Sequence, residues 1–206
     1  MAEFELALDL PVAERHLIPL ALFASRLRAV AEPDADRVAV MNFEATALRE
    51  SYKWTTDVTA GWTALQLYWD AAVMVRGKPL AEARITLNVA RAAYSLLAIK
   101  QRLVLAATED GDLLRIIGLS AAERSLVVRG RAIGDSDAAD GPARVWHLMG
   151  DLCATSLSWE SLVEARQYYD EALVRPGLPV AVRESIVASR ERVNAQMARS
   201  CDKDGA

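Results

Sequence analysis

His16 and His147 are the only histidines in this chain, and Cys153 and Cys201 the only cysteines. A metal held on one helical face needs ligands three or four residues apart. His147 and Cys153 are six positions apart, and no Glu-x-x-His occurs, so no di-metal helical site is expected. Nor is a Gly-x-Ser-x-Gly nucleophile turn present. Arg129-Gly130-Arg131 and Gly134 fall in or at the end of a helical stretch, without the strand that a phosphate-cradling glycine loop follows. The carboxylates are scattered; Glu44, Glu50, Asp57 and Asp70 read as a solvated face. No catalytic residue, cofactor site or metal site is therefore assigned, and the chain is expected not to be an enzyme.

The aromatic residues stand out more than the titratable ones. Trp54, Trp62, Tyr68 and Trp69 cluster in one stretch, with Tyr52 just before them, and Tyr168 and Tyr169 are adjacent. Adjacent residues on a helix face different ways, so one of Tyr168 and Tyr169 should pack and the other should be exposed. Tryptophan and tyrosine dominate the energetics of protein interfaces. Trp54, Trp62, Tyr68, Trp69 and Tyr168 are the candidate partner-binding residues. Core packing is nevertheless the first reading of this stretch, with Val58, Trp62, Leu65, Trp69 and Ala72 as a buried seam, and partner binding is the alternative. A second class of function is a helical enzyme or small-molecule binder. It would hold its ligand between residues 58–76 and 79–107, among Tyr52, Trp62, Trp69 and Tyr94.

The elements that would position these residues read as helices almost throughout. The sequence has 206 residues, 52% apolar and 25% charged, which suits a globular chain with a sizeable core. Residues 79–107 carry two apolar stripes. One is Leu80, Ala83, Leu87, Ala90, Tyr94, Leu97 and Val104, with Gln101 as its polar member. The other is Ile85, Val89, Ala92, Leu96, Ile99 and Leu103. Each stripe alternates steps of three and four, and the two fall on nearly opposite sides of one helix. A helix with two apolar sides belongs between neighbours.

Other helices are expected from Pro11 to Glu32, with Pro19 kinking or dividing it, and over a second stretch carrying Val38, Met41, Ala45, Leu48 and Tyr52. A bend near Thr55–Gly61 should precede a third helix ending at about Arg76. Gly77-Lys78-Pro79 should stop that helix and start the next. Glu109–Asp112 reads as a turn, and Ser120 with Glu123 as a capping box that starts a new helix. Gly134–Gly141 reads as a polar loop. Further helices follow from Pro142, with a break near Ser156–Ser158 and a hard turn at Pro176–Pro179. The last helix should bury Val182, Ile186, Ser189, Val193 and Met197, and the tail from Asp202 should fray. Phe4, Leu6, Leu8 and Leu10 alternate with polar or small residues, as in a strand. The expected organisation is one all-α domain over 1–206. It comprises an extended arm (1–10), a layered helical core (11–134), a hairpin with a capping helix (142–199) and a tail (200–206).

Trp146, Met149, Gly150 and Cys153, followed by Ala165, Tyr169, Ala172 and Pro176, resemble a tetratricopeptide repeat, W-x2-L-G-x2-Y then A-x3-F-x2-A then P. The related pentatricopeptide type is similar too, through Asp151-Leu152-Cys153 and Ala165. Met149 and Cys153 depart from the pattern, and the segment between the two helices is about three residues too long. Ala83, Ala122 and Ala165 open similar second-helix stretches, 39 and then 43 residues apart. The resemblance implies stacked antiparallel hairpins, a right-handed array, and a segment of another protein as ligand. The alternative architecture is an irregular helical bundle.

Leu119–Arg124 resembles the opening of a response-regulator helix-turn-helix. The next helix, however, presents Trp146, Leu148 and Met149 where a recognition helix needs polar reach. The net charge is −4 without a block of like charges, and no nucleic-acid partner is expected. The expected partners are other protein subunits or a peptide segment. No apolar run is long enough to span a membrane, although association with a membrane complex stays open. Two cysteines, no secretory signal and no Arg-rich presequence place the chain in a reducing compartment, cytoplasmic by default, with an organellar matrix as the alternative.

Overall fold

The computed structural model describes residues 17–31, 34–102, 109–131 and 141–204. They form α1 (Leu17–Val30), α2 (Asp34–Thr55), α3 (Val58–Met74), α4 (Pro79–Arg102), α5 (Glu109–Arg131), α6 (Gly141–Ala154), α7 (Trp159–Leu173) and α8 (Val180–Asp204). No strand occurs among the described residues. The strand-like arm, Pro11, Val104, most of the Gly134–Gly141 loop and the last two residues lie outside them.

Local chemistry explains most boundaries. Asp57 caps α3 by accepting the Thr59 N–H at 3.0 Å, and Ser158 caps α7 by accepting the Ser161 N–H at 3.2 Å. Gly77 takes φ +84° in the turn before α4, a conformation that favours glycine.

The double-striped helix is α4, and it lies between neighbours as its pattern requires. Ala93 and Leu97 meet α5 beside Gly118 and Gly111. Leu96 on the other side meets α2 and α3: it packs over Gly61, and its carbonyl accepts the Tyr52 hydroxyl at 3.4 Å. Each helix packs on the next in the chain. The even-numbered helices also touch in order, α2 on α4, α4 on α6 and α6 on α8, and no odd-numbered pair packs as extensively. The result is a layered stack of antiparallel hairpins. One hydrophobic cluster runs from α2 to α6, including Tyr52, Tyr68, Leu96, Leu114, Met149 and Leu152. A second joins α6, α7 and α8 through Cys153, Leu162, Tyr169, Ile186 and Val193.

Three expectations need correction. Glu109–Asp112 is not a turn, and Ser120 with Glu123 caps nothing: α5 is continuous from Glu109 to Arg131. Its buried side (Leu114, Ala121, Ala122, Ser125, Val128) is held on α4 and α6, which outweighs the weak helix preference of Gly111 and Asp112. The buried side of α3 is rotated from the expected seam. Ala60, Gly61, Ala64, Leu65, Leu67, Tyr68 and Ala71 are inside, whereas Val58 is 41% and Trp69 50% exposed. Small residues win because α3 lies close to α4: a Cβ on Gly61 would sit 2.7 Å from Leu96 Cδ2. The tail is helical through Asp204.

Candidate functional site

α4 offers two further faces between its stripes. Arg84, Asn88 and Arg91 share one face; Glu82 and Thr86 lie on the opposite one, bordered by Val89 of the second stripe. A hollow opens over each.

The hollow over Glu82, Thr86 and Val89 is a groove of about 490 Å³ between α3 and α5. Trp69, Ala72 and Val73 form its α3 wall, and Ser120, Ala121 and Arg124 its α5 wall. Trp69 and Val73 are about half exposed. Leu113, Ile116 and Val127, on the same side of α5 as Ser120 and Arg124, are exposed as well. At the base, the buried Glu82 accepts the Arg124 Nε–H at 2.8 Å and the Gly77 N–H at 2.8 Å. Burial works against its charge, but the Gly77 N–H and the Arg124 guanidinium hold its carboxyl below the ordinary range. Both carboxylate oxygens are thus engaged, and Glu82 pins the start of α4 to α5. The groove is an apolar surface with a closed ion pair at its floor, suited to contact and not to proton transfer.

The opposite hollow is a cleft of about 780 Å³ along α2, α4 and the start of α6. Arg84, Arg91, Arg129 and Arg144 line it, together with Asn42 and Asn88. Asn88 donates to Asn42 at 2.9 Å, and Arg91 donates to Asn88 at 3.3 Å. The sequence shows no basic block, yet the fold gathers these arginines from α4, α5 and α6.

A third, smaller hollow of about 140 Å³ adjoins a polar cluster where α6, α7 and α8 meet. His147 Nε2 lies 3.0 Å from Ser189 Oγ and 3.7 Å from Asp151 Oδ2, and the Tyr169 hydroxyl donates to Asp151 at 2.9 Å. Serine, histidine and aspartate thus meet, but without the geometry of a triad. One imidazole nitrogen faces both partners, whereas acyl transfer needs opposite nitrogens for the nucleophile and the carboxylate. Burial lowers the His147 pKa and raises that of Asp151, which favours the uncharged form of each. The spacing of four between His147 and Asp151 is a signal the sequence offers; Ser189 falls on the expected inner face of the last helix, but nothing in the sequence pairs it with His147.

The structure separates the candidate partner-binding residues. Trp54 is 64% exposed at the end of α2, and Trp69 lies on the groove. Trp62 is partly buried against the main cluster. Tyr68 is fully buried and shares a 2.7 Å hydrogen bond with Thr46, so it belongs to the core and presents nothing to a partner. Tyr168 is half-buried beside Trp146, at 5.6 Å between ring centres, while Tyr169 is buried. The four aromatic residues of the ligand-pocket reading do not converge. Tyr52 is enclosed in the core, and Trp69 and Tyr94 line different hollows. Of the scattered carboxylates, Glu44 is not solvated but buried, 3.0 Å from Arg28. Cys153 is a core residue whose thiol is pushed up to about 12, chiefly by burial. Among the described residues no cluster of potential metal ligands occurs, and no helix is long and apolar enough to cross a membrane. Cys201, in the helical tail, has no described side chain. Comparison with models of protein families, with curated proteins and with solved structures found no match.

Proposed function

We propose that this chain is a non-enzymatic interaction protein, an adaptor or structural subunit that seats another protein in the groove between α3 and α5. The observation that carries this reading is the exposed tryptophan on that groove. A half-exposed Trp69 beside half-exposed Val73 places a large apolar area in water, at a cost of roughly 25 cal/mol per Å² that a partner would recover. Arg76, exposed at the groove, favours an acidic residue flanking the partner's apolar anchor.

The stack of hairpins supports a tetratricopeptide-like architecture. In the α6–α7 hairpin, Gly150 lies against the Tyr169 ring, two of the positions that carry the resemblance, and Trp146, a third, lies beside Tyr168. Contact among the even-numbered helices is what a curved array would need on its inner side.

The reading is tested with a photoreactive residue placed at Val73, and at the still more exposed Val174 as a control. In extract from the source cells, the Val73 probe should form a discrete adduct that Trp69→Ala removes. Adducts of equal yield from both positions, or none from Val73, would contradict the reading.

A further inference from the structure

The apolar surface of the groove continues along α5. Leu113, Ile116 and Val127 are exposed, and with Ser120 and Arg124 they fall on one stripe of that helix, at steps of three, four, four and three. α5 is therefore apolar on two sides, toward Leu114, Ala122 and Val128 within the stack and along this outer stripe. A helix apolar on two sides belongs between neighbours. α4 obeys that rule, and α5 has α4 and α6 on its inner side, whereas its outer stripe stays exposed among the described residues. Across the groove, Trp69, Val73 and Arg76 follow at steps of four and three on α3. Two helical walls with stripes at helical spacing form the kind of seat that an amphipathic helix fills with anchors at i, i+3, i+4 and i+7. An extended segment fits less well. The N–H and C=O groups of helical walls are bonded internally, so they offer no free edge for a strand to pair with. A helical occupant brings its own backbone bonds already made. From Leu113 to Val127 the stripe rises about 21 Å, the length of a four-turn helix. Arg76 is exposed two turns beyond Trp69, which places an acidic residue about two turns from the anchor that meets Trp69.

We infer that the groove between α3 and α5 holds an amphipathic helix of another protein, about four turns long, with apolar residues against Trp69, Val73, Ile116 and Val127 and an acidic residue facing Arg76. This rests on the reading of the groove as a seat for another protein and adds the form of the segment that enters it.

Selection against the full chain from a random library of peptides about 16 residues long tests this, with the enriched peptides sorted by loss of binding to Trp69→Ala. The Trp69-dependent peptides should carry apolar residues at steps of three and four, with an acidic residue two turns from the strongest anchor. A synthetic copy should gain helical circular dichroism on binding, and proline at its centre should weaken it at least tenfold. Ile116→Ser, on the opposite wall and itself exposed, should weaken the same peptide at least several-fold. Val174→Ser, outside the groove, should leave its affinity unchanged. Trp69-dependent peptides with apolar residues at alternate positions, as Phe4, Leu6, Leu8 and Leu10 stand in this chain, would overturn the helix in favour of an extended segment and leave the protein seat standing. Binding indifferent to Ile116→Ser would also overturn the inference, because the occupant would then not span the groove. Sedimentation of the chain alone as a dimer that Trp69→Ala dissolves would overturn it in favour of a second copy. Enrichment of no Trp69-dependent peptide would overturn the helix and the protein seat together.

Discussion

Glu82 shows how one residue can look chemical and be structural. It is a buried carboxylate beside a hollow, but Arg124 and the Gly77 N–H occupy its oxygens. Its folded pKa lies below its ordinary value of 4.5. Its contribution is therefore present above that value and is lost as pH falls through the lower folded one. Glu82→Gln should cost about 1.5–3 kcal/mol in urea unfolding at pH 7, and the gap to the parent chain should narrow in acid. A gap independent of pH would show that the charge does not matter. Gly150 makes the opposite case, a residue with no chemistry that decides packing. A Cβ there would clash with Cε1, Cδ1 and Cζ of the Tyr169 ring. Alanine favours a helix over glycine by about 1 kcal/mol, yet Gly150→Ala should destabilise by about 1–3 kcal/mol in thermal or urea melts, because overpacking outweighs propensity. Cys153 as a core residue was legible from its apolar neighbours. Tyr68 and Trp69 were not separable, since they are adjacent, both aromatic, and differ only in which way α3 is turned.

Among the elements, α4 was the most legible because two stripes of regular spacing admit one arrangement, a helix between neighbours. α8 was legible too: Ile186, Ser189 and Val193 are its buried residues. α5 was misread because its signals are local and conflicting. Gly111, Asp112 and Ser120 argue for turns and caps, whereas the packing of Leu114 and Ala122 argues for one helix, and packing is not visible in a short window. The continuous helix makes Ser120 an exposed mid-helix residue. Ser120→Ala should therefore change stability by less than about 0.5 kcal/mol, measured by urea unfolding. Loss of a true N-cap would cost about 1 kcal/mol, and a cost of that size would restore the capping box. α3 failed differently: the large aromatic residues were assigned inward, but close helix approach selects the small ones, Ala60, Gly61, Ala64 and Ala71.

At the scale of the molecule, an all-α stack of layered hairpins was legible from period, breakers and short connections. The two larger hollows were not. Each is assembled from three or more helices, and the arginines of the cleft are as far apart in sequence as Arg84 and Arg144. Only the spacing of seven between Arg84 and Arg91 hinted that they share a face. The stack leaves α4 with a different surface on each side, one apolar and marked by Trp69, one basic. The central claim is that the apolar side seats another protein. It is tested most directly by native size-fractionation of source-cell extract, following this 22.5 kDa chain by mass spectrometry in parent and Trp69→Ala forms. Trp69 is half exposed, so its removal should leave the fold intact. The account predicts that the parent chain migrates in a distinctly larger assembly and that Trp69→Ala shifts it to the free monomer. Migration of the parent chain as a monomer, or an assembly indifferent to Trp69→Ala, would contradict it.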